Sequence, residues 1–375
     1  IADLVNSAFG HSGQKCSAAS LGIVTAEVHD SPHFLARLRD AVLSFRVGPA
    51  TDPASMMGPI IGPPTVNLDQ ALTSLEEGEA WLVEPAALNS ERTLWTPGVR
   101  TGVAPGSWFH RVECFGPVLG LMAAADLDEA LAIQNGTTFG LTGGIHSLDP
   151  REIDEWTARI EVGNAYVNRT ITGAIVQRQP FGGWKRSSIG PGAKAGGPNY
   201  VAQLGRWVPK PGISEVGTVD SAAWLASAAA SDEEWLASEF SIEHDPTGLF
   251  CESNVFRYRP LERLAVRVER SAERPAADSE LERVLVAARR CRVATVVSDS
   301  ETESAAEFAA RLDALSAQGV VRIRLIGRLD DHLRSAADAA GIGVADDPVT
   351  ANGRVELLHY FREQAVSRTL HRYGN

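Results

Sequence analysis

Cysteine is scarce in this chain, with four in 375 residues, at positions 16, 114, 251 and 291. Their scatter excludes a disulfide-stapled scaffold and gives no metal-ligand spacing, so no metal is expected and a reducing, cytoplasmic compartment is. Apolar runs are short: none approaches the ~20 residues of a membrane-spanning helix. Positive charge is in deficit, with 35 Lys and Arg against 47 Asp and Glu and a net charge of -12, which argues against nucleic acid or an anionic membrane as partner. No Gly-x-Gly-x-x-Gly follows a strand; Gly341-Ile342-Gly343 lacks the third glycine and reads as an ordinary turn. What remains is 44% hydrophobic and 22% charged, enough for about two domains with cores of their own.

Strand and helix signals alternate from Leu21 to about Pro209. Leu21-Gly22-Ile23-Val24 reads as a strand, Ser31-Pro32 opens a helix, and Asp126 to Asn135 is a helix with an acidic first turn. Gly140 to Ser147 is a glycine-rich strand entry, Asp149-Pro150 starts another helix, and Gly163 to Asn168 returns to strand. This order predicts an α/β layer structure with a mainly parallel sheet. Ser221 to Ser238 reads as a helical connector with one apolar face. A second α/β unit follows, with strands at Leu264–Val268, Val293–Val297 and Val320–Ile326 and helices over Asp278–Arg290, Glu301–Gln318 and Asp331–Ala340. It has a Rossmann-like order without a phosphate-binding fingerprint, and packing or assembly is its expected role.

Gly13-Gln14-Lys15-Cys16-Ser17 is the segment richest in chemistry. A glycine-containing approach precedes Cys16 and the small, helix-compatible run Ser17 to Leu21 follows it, which would set the sulfur near a helix N-terminus that favours thiolate. Thiolate attack on an aldehyde needs a nucleophile, donors for the oxyanion, a hydride acceptor and a base for water. Cys16 supplies the first, and its backbone N–H supplies one donor.

With Gln179-Pro180-Phe181-Gly182-Gly183-Trp184-Lys185 and Glu113-Cys114-Phe115-Gly116-Pro117, this segment resembles the aldehyde dehydrogenase superfamily. The resemblance implies an aldehyde dehydrogenase catalytic domain over 1–210, a linker over 211–240, a smaller Rossmann-like, aldehyde-dehydrogenase-like domain over 241–353 and a terminal motif over 354–375. It implies NAD as cofactor, with Glu113 on the nicotinamide ribose hydroxyls and Phe115 near the nicotinamide; Cys114 reads as a packing residue. The family's oxyanion Asn and general-base Glu precede the nucleophile. Because the chain opens at Ile1-Ala2-Asp3-Leu4-Val5, without Met, it is expected to be a portion of a longer protein that lacks its N-terminal nucleotide-binding domain, and to be inactive alone.

Thr172 to Gly183 and Lys194-Ala195-Gly196-Gly197-Pro198 narrow the resemblance to the L-glutamate γ-semialdehyde (1-pyrroline-5-carboxylate) dehydrogenases. That implies Gly173 and Ala174 backbone N–H groups and the Ser17 hydroxyl on the substrate's α-carboxylate, with Phe181 on its aliphatic part. A plain turn at Gly173 and a helix cap at Ser17 are the alternative readings. Gln177-Arg178 and Trp184-Lys185-Arg186 depart from the small residues expected there. The stretch from Arg354 to Asn375 resembles the terminal motif of the bifunctional proline utilization A proteins, in which FAD would belong only to an upstream proline dehydrogenase domain. A small-molecule aldehyde is the implied substrate, homo-oligomerisation is left open, and another semialdehyde dehydrogenase or a catalytically silent assembly module are the competing readings.

Overall fold

The structure, a computed structural model, describes residues 1–188, 190, 192–205, 207, 221–271 and 277–370. Two compact units divide the chain. The first comprises Ile1–Ile175, Gly248–Ser253 and Val366–Asn375, and the second Val176–Thr247 and Asn254–Ala365. The strands in chain order are β1 (Leu21–Thr25), β2 (Ala80–Val83), β3 (Gly98–Thr101), β4 (Val118–Ala124), β5 (Phe139–Gly140), β6 (Thr142–Ile145), β7 (Asn164–Val167), β8 (Trp184–Lys185), β9 (Glu252–Pro260), β10 (Arg263–Val268), β11 (Ala294–Asp299), β12 (Val320–Ile326), β13 (Gly343–Ala345) and β14 (Phe361–Thr369).

In the first unit a sheet of order β1-β4-β3-β2 is parallel except at β2. Its strand β4, Val-Leu-Gly-Leu-Met-Ala-Ala, is buried on both faces, as a parallel strand covered by helices on two sides should be. Leu119 and Leu121 meet the helices Ala2–Phe9 and Pro32–Leu43 through Val5, Phe9, Leu38 and Val42. Val118, Met122 and Ala124, at the alternate positions, meet Leu68, Ala71, Leu72 and Ile133 from helices Val66–Thr73 and Leu127–Asn135. Helix starts follow the expected chemistry: Ser31 accepts from the Phe34 N–H with Pro32 behind it, Asp126 from Glu129 N–H, and Asp149 from Arg151 N–H. A smaller parallel pair aligns Thr142 with Asn164 and Gly144 with Tyr166 across β6 and β7.

The second unit holds the sheet β11-β10-β12-β13, parallel throughout, in a doubly wound order. The region expected as one helix over 301–318 is two, Ala305–Ala309 and Leu312–Ala317. The Arg311 N–H turns back to Phe308 three residues away, and the Asp299 carboxylate and carbonyl hold Glu301 and Thr302 in a turn, so the helix starts late and breaks once. Helix Ser221–Trp235 buries one face, but that face is not apolar: Trp224 and Ala228 are followed by fully buried Asp232. After Arg354 the chain packs inward, with Val355, Glu356, Leu357 and Tyr360 buried ahead of β14. Residues 208–220 and 371–375, including Tyr373, lie outside the described residues.

Charge is what locks this unit together. Arg283 grips Asp232 through two bonds of 2.7 Å, and its Nε donates to the Thr350 carbonyl at 3.0 Å. Arg324, in strand β12, grips Glu356 at 2.9 and 2.8 Å, and the Tyr360 hydroxyl donates to the same carboxylate. Burial alone would raise Glu356, yet Arg324 beside it holds it down to about 2. A carboxyl held below its unfolded value contributes stability above that value, and the contribution is lost as pH falls towards about 2. Removing one member strands a charge with no solvent. Arg324→Met is therefore expected to cost about 3–5 kcal/mol, and the double variant with Glu356→Leu to recover part of it. Denaturant midpoints of the single and double variants check this, and equal loss in both would refute it.

Candidate active site

Helix Ala2–Phe9 runs into three consecutive left-handed residues, His11 (φ 55°), Ser12 (φ 58°) and Gly13 (φ 67°). Outside glycine each such residue costs about 1–3 kcal/mol and persists only where its surroundings enforce it. They do so here. The Ser12 hydroxyl donates to the Gly58 carbonyl at 2.6 Å. The Gln14 side chain bridges two further loops, donating to the Phe115 carbonyl at 3.2 Å and accepting from the Ile61 N–H at 2.9 Å. Gly13 lies so close to Gly116 that a Cβ on it would stand 2.1 Å from that residue's carbonyl oxygen.

Cys16 follows, exposed, on a turn closed by the Ala18 N–H to the Lys15 carbonyl at 2.9 Å. The expectation of a helix beginning at this cysteine is not met, since the next element is strand β1. The cause is a diversion of backbone bonds. Ala19 N–H goes to the Ser7 carbonyl at 3.0 Å, and the Ser17 carbonyl accepts from the Thr142 hydroxyl at 3.4 Å, so no i→i−4 ladder forms. No helix therefore starts at Cys16.

Ser17 is buried and caps no helix. Gly173 (φ 81°) and Ala174 are exposed, and a Cβ on Gly173 would meet no atom within 4 Å. Their loop is tied to the same helix as the cysteine turn: the Ile171 N–H donates to the Ser7 hydroxyl at 3.1 Å, while the Ser7 carbonyl holds Ala19. Glu113 and Phe115 lead into β4, both exposed, with Phe115 at φ 56° and its carbonyl on Gln14. Thus Cys16, Ser17, Glu113, Phe115, Gly173 and Ala174 all belong to the first unit. Phe181 belongs to the second. There it exchanges two backbone bonds of 2.9 Å with Ala195, and the buried Lys194 ammonium donates to the Gly182 carbonyl. Burial pushes the Lys194 amine down to about 7, against the pull of Glu363, whose carboxylate accepts the Lys194 N–H at 2.7 Å. The Lys-Ala-Gly-Gly-Pro segment therefore serves here as the brace of the Phe-Gly-Gly segment.

Burial pushes the Cys114 thiol up to about 11 and the Cys291 thiol to about 12, so both are packing residues. The flanking Arg290 and Arg292 do not reverse that at Cys291. Sequence reasoning passed over Ser7, Gln14 and Tyr166. Gln14 sits inside the Gly13–Ser17 segment and was legible there as a side chain able to donate and accept at once, whereas Ser7 and Tyr166 lie in stretches whose pattern speaks only of helix and strand.

The aldehyde dehydrogenase family model matches residues 1–206. The 1-pyrroline-5-carboxylate dehydrogenase of Geobacillus sp. (strain WCH70) is 37% identical over 199 residues, 53% of this chain and 38% of that protein. The 1-pyrroline-5-carboxylate dehydrogenase 2 of Halalkalibacterium halodurans is 37% identical over 201 residues, again 53% of this chain and 38% of the relative. A solved structure of proline utilization A from Corynebacterium freiburgense is 48% identical with a TM-score of 0.85, covering 99% of this chain and 37% of that one. The chain thus spans under two-fifths of the length of each of these proteins. With more than half of its residues matched by the family model, the chain belongs to the aldehyde dehydrogenase family.

Proposed function

We propose that this chain is the nucleophile-bearing part of an enzyme that oxidises L-glutamate γ-semialdehyde to L-glutamate with NAD, in proline catabolism. The observation that carries the proposal is the exposed Cys16, held on a turn tied through Gln14 to the Glu113–Phe115 segment and through Ser7 to the Gly173–Ala174 loop. The relatives named 1-pyrroline-5-carboxylate dehydrogenase support the substrate, since that imine is the cyclised form of the same semialdehyde. The likeness to proline utilization A over nearly the whole chain supports the second unit, and the 241–353 and 354–375 segments with it, as an integral part of a multidomain protein. Reducing, cytoplasmic surroundings fit the thiol chemistry.

In this mechanism the Cys16 thiolate adds to the aldehyde carbon. The resulting oxyanion accepts from the Cys16 backbone N–H. The exposed Glu113 carboxylate can accept both hydroxyls of a ribose, and the exposed Phe115 ring offers a flat apolar face, so the donor set fits a nicotinamide nucleotide. What NAD supplies when bound is a hydride acceptor. Oxidised, the adduct is a thioester on Sγ, and hydrolysis returns the thiolate and releases L-glutamate. Gly173, at a left-handed φ with nothing in front of its Cα, and Ala174 present N–H groups to the α-carboxylate, and the Ser17 hydroxyl adds a third donor.

Three variants of the full-length protein test this. Cys16→Ala should abolish NAD-dependent oxidation of glutamate semialdehyde; residual turnover at the wild-type rate rejects the nucleophile. Ser17→Ala should raise KM by about one to two decades with kcat little changed, because a hydrogen bond to a charged group is worth about 1.5–3 kcal/mol. An aldehyde of equal length without the carboxylate should show no such difference. Gly13→Ala forces a methyl into the Gly116 carbonyl, and a displacement of about 1 Å at the nucleophile should lower kcat about 100-fold. Gly10→Ala, where a Cβ meets open space, is the matched control and should leave kcat as it is.

A further inference from the structure

Tyr166 is a buried phenol that the mechanism above leaves unused. Its side chain belongs to β7, in register with Gly144 of β6, two residues on from the Thr142–Asn164 pair. Side chains two apart on a strand share a face, so Thr142, Gly144, Asn164 and Tyr166 point the same way. Two contacts identify what that face covers. The Thr142 hydroxyl donates to the Ser17 carbonyl, and a Cβ on Gly144 would stand 2.6 Å from Ile171 Cγ2, at the start of the Gly173–Ala174 loop. The face bearing Tyr166 is the one laid under the cysteine turn.

Tyr166 is only 2% exposed, and among the described residues its hydroxyl makes no well-formed hydrogen bond. Burying a hydroxyl without a partner costs about 1–3 kcal/mol, so such a group in a site calls for an acceptor. Asn164 stands beside it and can donate to the oxygen, which leaves the O–H proton to be placed. Burial pushes the phenol up to about 12, Arg169 and Asn164 pull it down, and ionised Cys16 pushes it further up, so it remains a proton donor and feels the Cys16 sulfur. The Arg169 guanidinium lies 5.9 Å from the Tyr166 ring centroid. Its Nη1 is 3.5 Å from the Glu252 carboxylate, and Nε and Nη1 are both buried without a formed hydrogen bond among the described residues. The other charges nearby in sequence are His11 and Lys15, on the nucleophile's own segment.

We propose that the Tyr166 hydroxyl is the positioning donor of the Cys16 thiolate, its proton directed to the sulfur anion and its ring held by Arg169. This rests on Cys16 being the nucleophile, and it fills the role that the absent helix terminus leaves open. The hydroxyl favours the anionic form of the sulfur in the resting enzyme and gives way when the sulfur bonds to carbon.

The test reads the thiol, not turnover. In the full-length protein, iodoacetamide alkylation of Cys16 is followed by mass spectrometry of the peptide containing it, as a function of pH. Tyr166→Phe should move the midpoint of that profile up by about one pH unit and slow alkylation below the midpoint about tenfold, the scale of one hydrogen bond to a charged group. Incorporating 3-fluorotyrosine at 166, a stronger donor of nearly the same volume, should move the midpoint down and decides the matter even if the Phe variant folds poorly. Profiles unchanged in the fluorotyrosine protein, or in a Phe variant of wild-type melting temperature, overturn the proposal. Failure of the nucleophile reading is separable: Cys16→Ala would then retain aldehyde oxidation, whatever the alkylation profile of Cys16 in the parent.

Discussion

A single close approach governs the cysteine turn: the Cα of Gly13 facing the carbonyl of Gly116 at a separation that admits no side chain. Because the contact is backbone to backbone, neither side can yield by changing a rotamer. Gly116 is pinned in turn, since a Cβ there would stand 2.2 Å from Leu68 Cδ1, a residue of the core beneath β4. Core packing thus fixes Gly116, Gly116 fixes Gly13, and Gly13 fixes the three left-handed residues that raise Cys16 into solvent. The strain in His11 and Ser12 is tolerable only inside that chain of contacts.

The ties of the turn run separately to the two loops beside it. Gln14 joins it to the Phe115 carbonyl on one side, and Ser7 joins it to the Ile171 N–H on the other. Both ties engage the backbone of the partner loop, which leaves the side chains of Glu113 and Phe115 and the N–H groups of Gly173 and Ala174 free of structural duty within these bonds. Under the function proposed above, a cysteine held this way needs no movement of its own to meet a substrate, and preorganisation of that kind lowers a barrier.

Most helices and strands were legible because hydrophobic period and capping chemistry agree. Ser31-Pro32, Asp126 and Asp149-Pro150 each open the helix their side chains foretell, and β1, β7, β10 and β12 fall where the alternating pattern placed strands. The misreadings share a cause, in that long-range bonds overrode local preference. Ser17 to Ser20 is a small-residue run with nothing against a helix, but Ser7 and Thr142, distant in sequence, take its backbone groups. Helix 301–318 lost its start to Asp299. Cys16, Glu113, Phe115 and Gln14 were visible within motifs, whereas Ser7, which ties the turn to the Ile171 loop, acts through a long-range contact that no local pattern encodes.

Buried arginine, three times in strands and once in the helix Ala277–Arg290, was the other signal available. The largest fully buried side chains are four arginines, Arg100, Arg267, Arg283 and Arg324. A buried guanidinium must find acceptors, and each of these does: Glu79, Glu269, Asp232 and Glu356 respectively. In the second unit this bears on function. Ligands of doubly wound sheets bind beyond the carboxyl ends of the strands where the order reverses. At that place Arg267 is taken up by Glu269, Ser298 and the Glu303 carbonyl, Arg270 by Asp299, and Gly327 packs so tightly on the Glu269 carbonyl that a Cβ would lie 2.4 Å from it. Among the described residues at that place, Arg267 and Arg270 are paired with carboxylates of the same chain. The buried charge of this sheet is held in pairs such as Arg324 with Glu356, which tie strand β12 to the segment ahead of β14.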